Sequence, residues 1–421
     1  MEPALRSSDN QPATASPRSW PVYWMLAANL ISNLGNNITM LAVPWFVLQT
    51  TGSAGKMGLV AAATVAPLVI SSFIGGALTD RMSHRQLAVG SDILSGITVA
   101  AIPALYFTIG LNLSALMALV FLGAIFDGPG MNARMAMIPK LARDSNIPLP
   151  RVNSGFDIGR SLVSLVGAPI GGILIALAGS ASVLWIDAAT FVISAIIVRV
   201  MVPATSRPEP SGTSITTDMM AGMRFLWQSR LLRSIGLSAM ALNMVFNPLF
   251  TIGIPVYIQN SGHDAGTLGF LMTSVAAGVL AGSALYGWAG DRYPARATVI
   301  TSLTLLTVPL FGVALEPDLP VMWVLLFVIN FGSGIVNPLL FTFFHRHTPE
   351  DMLGRALGTF MSAIMLASPV GLLLGGAIIV SQGFSFAVLA GAMVTLLFAV
   401  LLALNSSLGD LDRPEPAPAT T

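Results

Sequence analysis

The chain is 421 residues long, 54% hydrophobic and only 9% charged, with a mean hydropathy of +0.78. So few charges cannot solvate the surface of a water-soluble protein of this size, which leaves a lipid bilayer as the main solvent. The net charge of +1 offers nothing to nucleic acid, and without Cys there is no disulfide, thiol chemistry or cysteine metal site.

Residues 1–20 are rich in Ser, Pro, Ala and Thr. They precede an apolar run too long for a signal-peptide core, so they are expected to form a disordered cytoplasmic tail with no cleavable signal. Twelve segments then reach the roughly 20 apolar residues that a spanning helix needs. They are Val22–Leu48, Met57–Thr79, Leu87–Ile109, Leu113–Ala133, Ser154–Ala178, Val183–Val202, Leu232–Ile258, Leu268–Ala289, Thr298–Leu315, Val321–Phe344, Leu357–Val380 and Phe386–Asn405. The fold class expected is therefore an all-α integral membrane protein of twelve transmembrane helices. Residues 21–202 and 231–405 form two six-helix bundles. Residues 203–230 form a cytoplasmic linker whose second part, Thr217 to Trp227, has the pattern of a capped amphipathic helix at the inner surface. Residues 406–421 read as a second cytoplasmic tail.

The cations fix the orientation. Of the 20 Lys and Arg, all but Lys56 and Arg160 fall in the even-numbered gaps or the tails, Arg134, Lys140 and Arg143 among them. The positive-inside rule puts those gaps and both termini in the cytoplasm.

The two halves repeat at an offset of 211 residues. Asn36 maps to Asn247, Pro44 to Pro255, Ala54-Gly55 to Ala265-Gly266, Gly58 to Gly269, Gly76 to Gly287, Asp80-Arg81 to Asp291-Arg292 and Arg85 to Arg296. An even number of spans per half gives both halves the same orientation, related by an axis along the membrane normal, as alternating access to one site requires. The Gly-x-x-x-Asp-Arg loops have a mechanical reading: glycine permits close helix approach, while Asp and Arg latch the ends of neighbouring helices.

Acids inside a membrane are expensive, so each is a candidate functional group. Asp92, Asp127, Asp157 and Asp187 all fall in the first half. Asp92 lies near the cytoplasmic end and suits a partner for the loop arginines, whereas Asp187 lies early in helix 6 and suits capping or packing. Asp127 precedes Gly128-Pro129-Gly130, where backbone can bend. Asp157 and Arg160 share one face of helix 5. The candidates for proton coupling are Asp157, Arg160 and Asp127. His345 and His347 lack acids in a ligand pattern, so no metal is expected, and no nucleophile–base set suggests an enzyme.

Gly76-x-x-x-Asp80-Arg81-x-x-x-Arg85 resembles the signature loop of the major facilitator superfamily. The Gly35-Asn36 step, Gly128-Pro129, Arg151-Val-Asn153, Gly167-Ala-Pro169-Ile-Gly171-Gly172, Ile186-Asp187 and Gly354-Arg355 resemble its twelve-helix drug-exporter branch of macrolide-efflux, siderophore-exporter and Tap-type pumps. The resemblance implies a secondary transporter that exports drug-like molecules by proton antiport. It implies no cofactor, the proton gradient as energy source, and a monomer in the bacterial inner membrane whose partners are substrate, protons and lipid. An uncoupled facilitator or importer of a small metabolite, or a siderophore exporter, is the alternative. The resemblance also implies a cavity lined by helices 1, 4, 7 and 10, with Asn33, Asn36, Asn243, Phe246, Asn247, Phe250, Asn330 and Asn337 as candidates.

Two positions depart from the branch. Asn36 stands where an Asp is usual and cannot titrate. Pro169 comes one residue late, which turns any kink in the Gly167–Gly172 bend by about 100°.

Overall fold

The computed structural model describes residues 19–79, 82–203, 215–289, 292–348 and 350–404. Helices occupy nearly all of it. The first half holds α1 (Trp20–Thr51), α2 (Ala54–Thr79), α3 (His84–Thr108), α4 (Leu113–Asp144), α5 (Leu149–Ala178) and α6 (Ser180–Met201). The amphipathic α7 (Ile215–Gln228) follows. The second half holds α8 (Arg230–Pro248), a π-helical turn (Leu249–Gly253) and α9 (Ile254–Asn260), which together make one span. Then come α10 (Ala265–Ala289), α11 (Ala295–Val313), α12 (Leu319–His347), α13 (Glu350–Gln382) and α14 (Phe384–Leu404).

Ten of these spans are long and apolar enough by composition alone to cross a membrane. With α2 and α1, whose asparagines lower its mean hydropathy, the bundle reaches twelve. Six spans per half put both ends of the bundle on one face, called here the terminal face.

Short polar caps start the helices and tight glycines end them. The Ser83 hydroxyl accepts from Gln86 N to open α3, and Asn112 Oδ1 accepts from Ala115 N at 2.8 Å to open α4. Asp264 Oδ1 accepts from Thr267 N at 2.9 Å before α10, and that backbone bond, with one from the Thr267 hydroxyl, holds its carboxyl below the usual range. Gly52, with φ of +61°, closes α1 in the left-handed conformation that glycine adopts without strain.

The sequence places the end of helix 4 at Ala133, but α4 runs on to Asp144. That extension carries Arg134, Lys140 and Arg143 into a helix. The turn residues needed to stop it arrive only at Ser145 and Asn146, the latter at φ of +52°.

The halves meet through α2 against α13 and α5 against α10. At Gly172 an added Cβ would sit 2.7 Å from Gly269 Cα and 2.6 Å from the Ala265 carbonyl. At Gly58 it would sit 2.7 Å from the Leu372 carbonyl and 3.4 Å from Gly376 Cα. All these residues lie in the parts of their helices remote from the terminal face. Backbone-to-backbone packing therefore closes the two halves together at the opposite face.

Candidate functional site

A cavity of about 240 Å³ lies mostly in the first half, with Asn247, Thr251 and Leu372 contributed by the second. Asp127 and Asn36 line it and belong to a polar network drawn from four helices. In α1, Asn36 Nδ2 donates to Asp127 Oδ2 of α4 at 3.1 Å. Two turns further along α4, Arg134 pairs with Asp92 of α3 at 2.5 Å and stands 3.9 Å from Asp127 Oδ1. The Ser194 hydroxyl of α6 donates to the other Asp92 oxygen at 2.8 Å. Asp92 and Arg134 are both almost wholly buried. A buried ion pair persists only with such close geometry and added hydrogen bonds. Asp127 is different. Its side chain is 24% exposed, and Oδ1, though buried, has no hydrogen-bond partner among the described residues.

Asp187 of α6 lines the same cavity. It is fully buried and accepts hydrogen bonds from the hydroxyls of Thr39 and Thr190, the latter at 3.2 Å from Oδ1. A Cβ on Gly35 would collide with the Asp187 carboxylate and the Thr190 hydroxyl, so only glycine lets α1 pass α6 at this point. Asp187 thus belongs to the cavity wall and helix crossing. Its distance of two turns from the start of α6 rules out the capping role read from its early position.

A second cavity of about 340 Å³ lies in the second half, nearer the terminal face. Asn243, Phe246, Phe250, Asn330 and Asn337, five of the residues singled out from sequence, line it. Phe246 and Phe250 stack at 6.4 Å between centroids. Asn337 Nδ2 donates to Ser333 Oγ at 3.3 Å, and Asn330 Nδ2 donates to the Leu326 carbonyl at 2.8 Å. Asn243 Oδ1 is buried without a partner among the described residues.

Helix 7 of the twelve spans, built from α8 to α9, is the shared wall. Its Asn247 and Thr251 face the first cavity, while Asn243, Phe246 and Phe250 face the second. Pro248 denies the helix a hydrogen bond, and the π-helical turn that follows absorbs the fault. There Asn247 donates to the Ser368 hydroxyl of α13 and accepts from Thr251 at 3.1 Å.

The structure does not unite every predicted residue. Asn33 lines neither cavity; its Nδ2 returns to the Asn29 carbonyl at 2.7 Å. Asp157 and Arg160 are both exposed and make no ion pair with each other, contrary to the pairing their spacing suggests. Asp157 lies with Ser161 and Ala168 on the α5 stripe that ends in Gly172, so it faces the other half of the protein. The run Gly167–Gly172 stays α-helical through Pro169 and serves as a packing surface: Gly167 against Asn37, Gly171 against Ile38 and Gly172 against α10.

Of the latch residues, Asp80, Arg81 and Asp291 lie outside the described residues, and Gly76 falls in the last turn of α2. Arg85 Nη1 donates to the Val202 carbonyl at 3.0 Å, Arg296 Nη2 donates to the Ala403 carbonyl at 3.3 Å, and Arg292 stacks on Trp288 at 4.7 Å. A Cβ on Gly287 would meet open space, so close helix approach does not explain that glycine.

Sequence reasoning missed Arg134 by counting it with the loop cations. The available signal was its place seven residues after Asp127, which puts both on one helix face two turns apart. Asp92 does find an arginine partner, but a buried one on α4 instead of a loop one.

Two six-helix halves, each holding a cavity against the shared helix 7, have the architecture of a membrane transporter. The family model described as Major Facilitator Superfamily matches residues 25–264 and 237–420, and the chain belongs to that superfamily. It is 30% identical over 398 residues to the multidrug efflux pump Tap of Mycolicibacterium fortuitum, covering 93% of this chain and 97% of that protein. It is 27% identical over 366 residues to the enterobactin exporter EntS of Escherichia coli, covering 83% of each. Among solved structures, the nucleoside transporter NupG superposes with a TM-score of 0.72 at 12% identity, covering 90% of this chain and 98% of that one. An inward-facing bacterial homologue of the lysosomal transporter Spinster gives 0.70 at 14% identity, covering 94% and 99%. These two likenesses establish the fold.

Proposed function

We propose that the protein exports hydrophobic or amphiphilic drug-like molecules from a bacterial cell by alternating access, driven by proton entry. Both termini lie in the cytoplasm, as the cation distribution requires. The observation that carries the reading is the Asp127 carboxylate. It lines a membrane-embedded cavity, shares a single arginine with Asp92, and keeps one oxygen unpartnered among the described residues. Such a group gains or loses a proton at the cost of one weak ion pair, while the closer Asp92–Arg134 pair holds α3 and α4 together. Asn36 donates a hydrogen bond to the same carboxylate, so the amide that replaces the branch's usual acid still touches the proton site. The likeness to Tap and EntS supports export over uptake.

In this reading the closed contacts at Gly172–Gly269 and Gly58–Gly376 belong to a state open to the cytoplasm, from which substrate enters. The cycle needs no cofactor and one copy of the chain. The test is efflux of a panel of fluorescent dyes from cells with and without the protein. Expression should lower dye retention, and an uncoupler should abolish the difference. Efflux that ignores the uncoupler would instead support an uncoupled facilitator, the reading that the loss of an acid at Asn36 favours.

A further inference from the structure

We propose that the protein holds one acyl chain of a membrane phospholipid in a third cavity, between α8, α13 and α14. The site is independent of the export reading and shares no lining residue with either of the cavities described above.

This cavity measures about 380 Å³, and every described residue that lines it is apolar. Helix 7 contributes Ala241, Val245 and Pro248, which lie on the face opposite Phe246 and Phe250. Water gains no hydrogen bond from such a lining, and an empty apolar space forfeits the contacts of its walls, so a hydrocarbon is the occupant that it rewards. The shape suits a chain better than a compact ring system: on α14 the lining runs from Phe384 to Phe398, ~20 Å along the axis at the helical rise. Two lining residues, Leu374 and Val394, are also 51% and 38% exposed. On a spanning helix that exposed surface meets lipid, so the cavity is continuous with the bilayer around the bundle.

The first half shows how the same crossing is closed without a ligand. α5 and α6 recur in α13 and α14 at an offset of 204 residues: Gly167, Gly171, Gly172 and Gly179 map to Gly371, Gly375, Gly376 and Gly383. By the same offset Asp187, Thr190 and Ser194 map to Gly391, Val394 and Phe398. In the first half Asp187 accepts from Thr39 of α1 and from Thr190, and Gly35 lies tight against both Asp187 and Thr190. In the second half a glycine, a valine and a phenylalanine replace those three polar residues of α6, and all three line the cavity. An occupant there also touches Pro248 and Leu249, so it packs against helix 7 where the proline interrupts its hydrogen bonding and the π-helical turn begins.

The test is photolabelling of the purified full-length protein in nanodiscs that contain phosphatidylcholine with a diazirine at the end of one acyl chain. Labelled residues are mapped by mass spectrometry. The wild type should be labelled at Val245 and Ala390, which line the cavity, as well as at Met393 and Leu397 of α14. The latter pair, each 55% exposed and outside the lining, reports ordinary contact with the bilayer. Ala390→Phe fills the cavity and should lower the labelling of Val245 several-fold while that of Met393 and Leu397 stays unchanged. Ala387→Phe fills it from the neighbouring turn and serves if the first variant does not fold. Absence of label at Val245 and Ala390 in the wild type would overturn the proposal, as would undiminished labelling of Val245 in a folded filled variant. Excess Nile red, an uncharged dye, should leave the wild-type labelling of Val245 intact. Loss of that label alone would give the cavity to a dye-like ligand and overturn the lipid assignment.

Discussion

Arg85 and Arg296, 211 residues apart in sequence, perform the same task in their own halves. Arg85 donates to the Val202 carbonyl at the end of α6, and Arg296 donates to the Ala403 carbonyl near the end of α14. Each guanidinium reaches from the start of the third span of its half to the carbonyl end of the sixth, where a helix carries partial negative charge. The sequence repeat is thus a repeat of an interaction. Replacing either arginine by Gln should cost about 1 kcal/mol, the usual scale for a cation at a helix C-terminus, and lower the unfolding midpoint in detergent. Lys should recover part of the loss. An unchanged midpoint for both Gln variants would remove the capping role.

The Asp92–Arg134 pair makes a sharper prediction. Asp92→Asn leaves a buried guanidinium without its close partner and should destabilise by about 3–5 kcal/mol. The double change Asp92→Asn with Arg134→Gln should be milder than Asp92→Asn alone, because no buried charge is stranded. Thermal unfolding of Asp92→Asn, Arg134→Gln and the double variant measures the coupling directly. Additive losses would mean that the pair does not act as a unit.

The seal at the face opposite the termini rests on glycine. Gly172→Val or Gly376→Val would force side-chain atoms into backbone at α10 or α2, which rigid helices cannot absorb. Both should shift the population towards separation at that face. The chain has no cysteine, so Val43→Cys, in the first cavity, provides a single reporter. Its labelling from that face should rise several-fold in either glycine variant relative to the Val43→Cys parent. No rise would show that these contacts do not gate access.

Topology can be checked with amine reagents. Lys56 lies just after the start of α2 and is exposed at the face opposite the termini, whereas Lys140 lies near the end of α4 at the terminal face. In intact cells Lys56 should react and Lys140 should be protected. The reverse would invert the membrane orientation.

Much of this was legible in the sequence because hydropathy, loop charge and the 211-residue offset each report on spans directly. The amide and phenyl stripe Asn243, Phe246, Phe250 was legible too, since helical periodicity alone sets it on one face. What the sequence hides is pairing between helices distant in the chain. Nothing local joins Asp92 to Arg134, or Thr39 to Asp187. Arg134 sits so close to the apparent end of an apolar run that charge counting assigns it to a loop. The spacing of Asp157 and Arg160 misleads in the other direction: sharing a helix face does not bring two exposed side chains into contact. The π-helical turn had one local sign, Pro248 inside an otherwise continuous apolar segment.

The proposed cycle depends on coupling of proton entry to export through Asp127. It is tested most directly in proteoliposomes containing the wild type or Asp127→Asn, by measuring gradient-driven uphill dye accumulation and gradient-free dye exchange on the same preparations. Exchange needs only an alternating site, whereas uphill transport needs a group that takes a proton on one side and releases it on the other. Asp127→Asn should abolish accumulation while exchange of an uncharged fluorescent dye continues. Full gradient-driven accumulation by the folded Asp127→Asn protein would contradict it, and the same measurement on Asp157→Asn would then decide whether the exposed acid on α5 carries the proton instead.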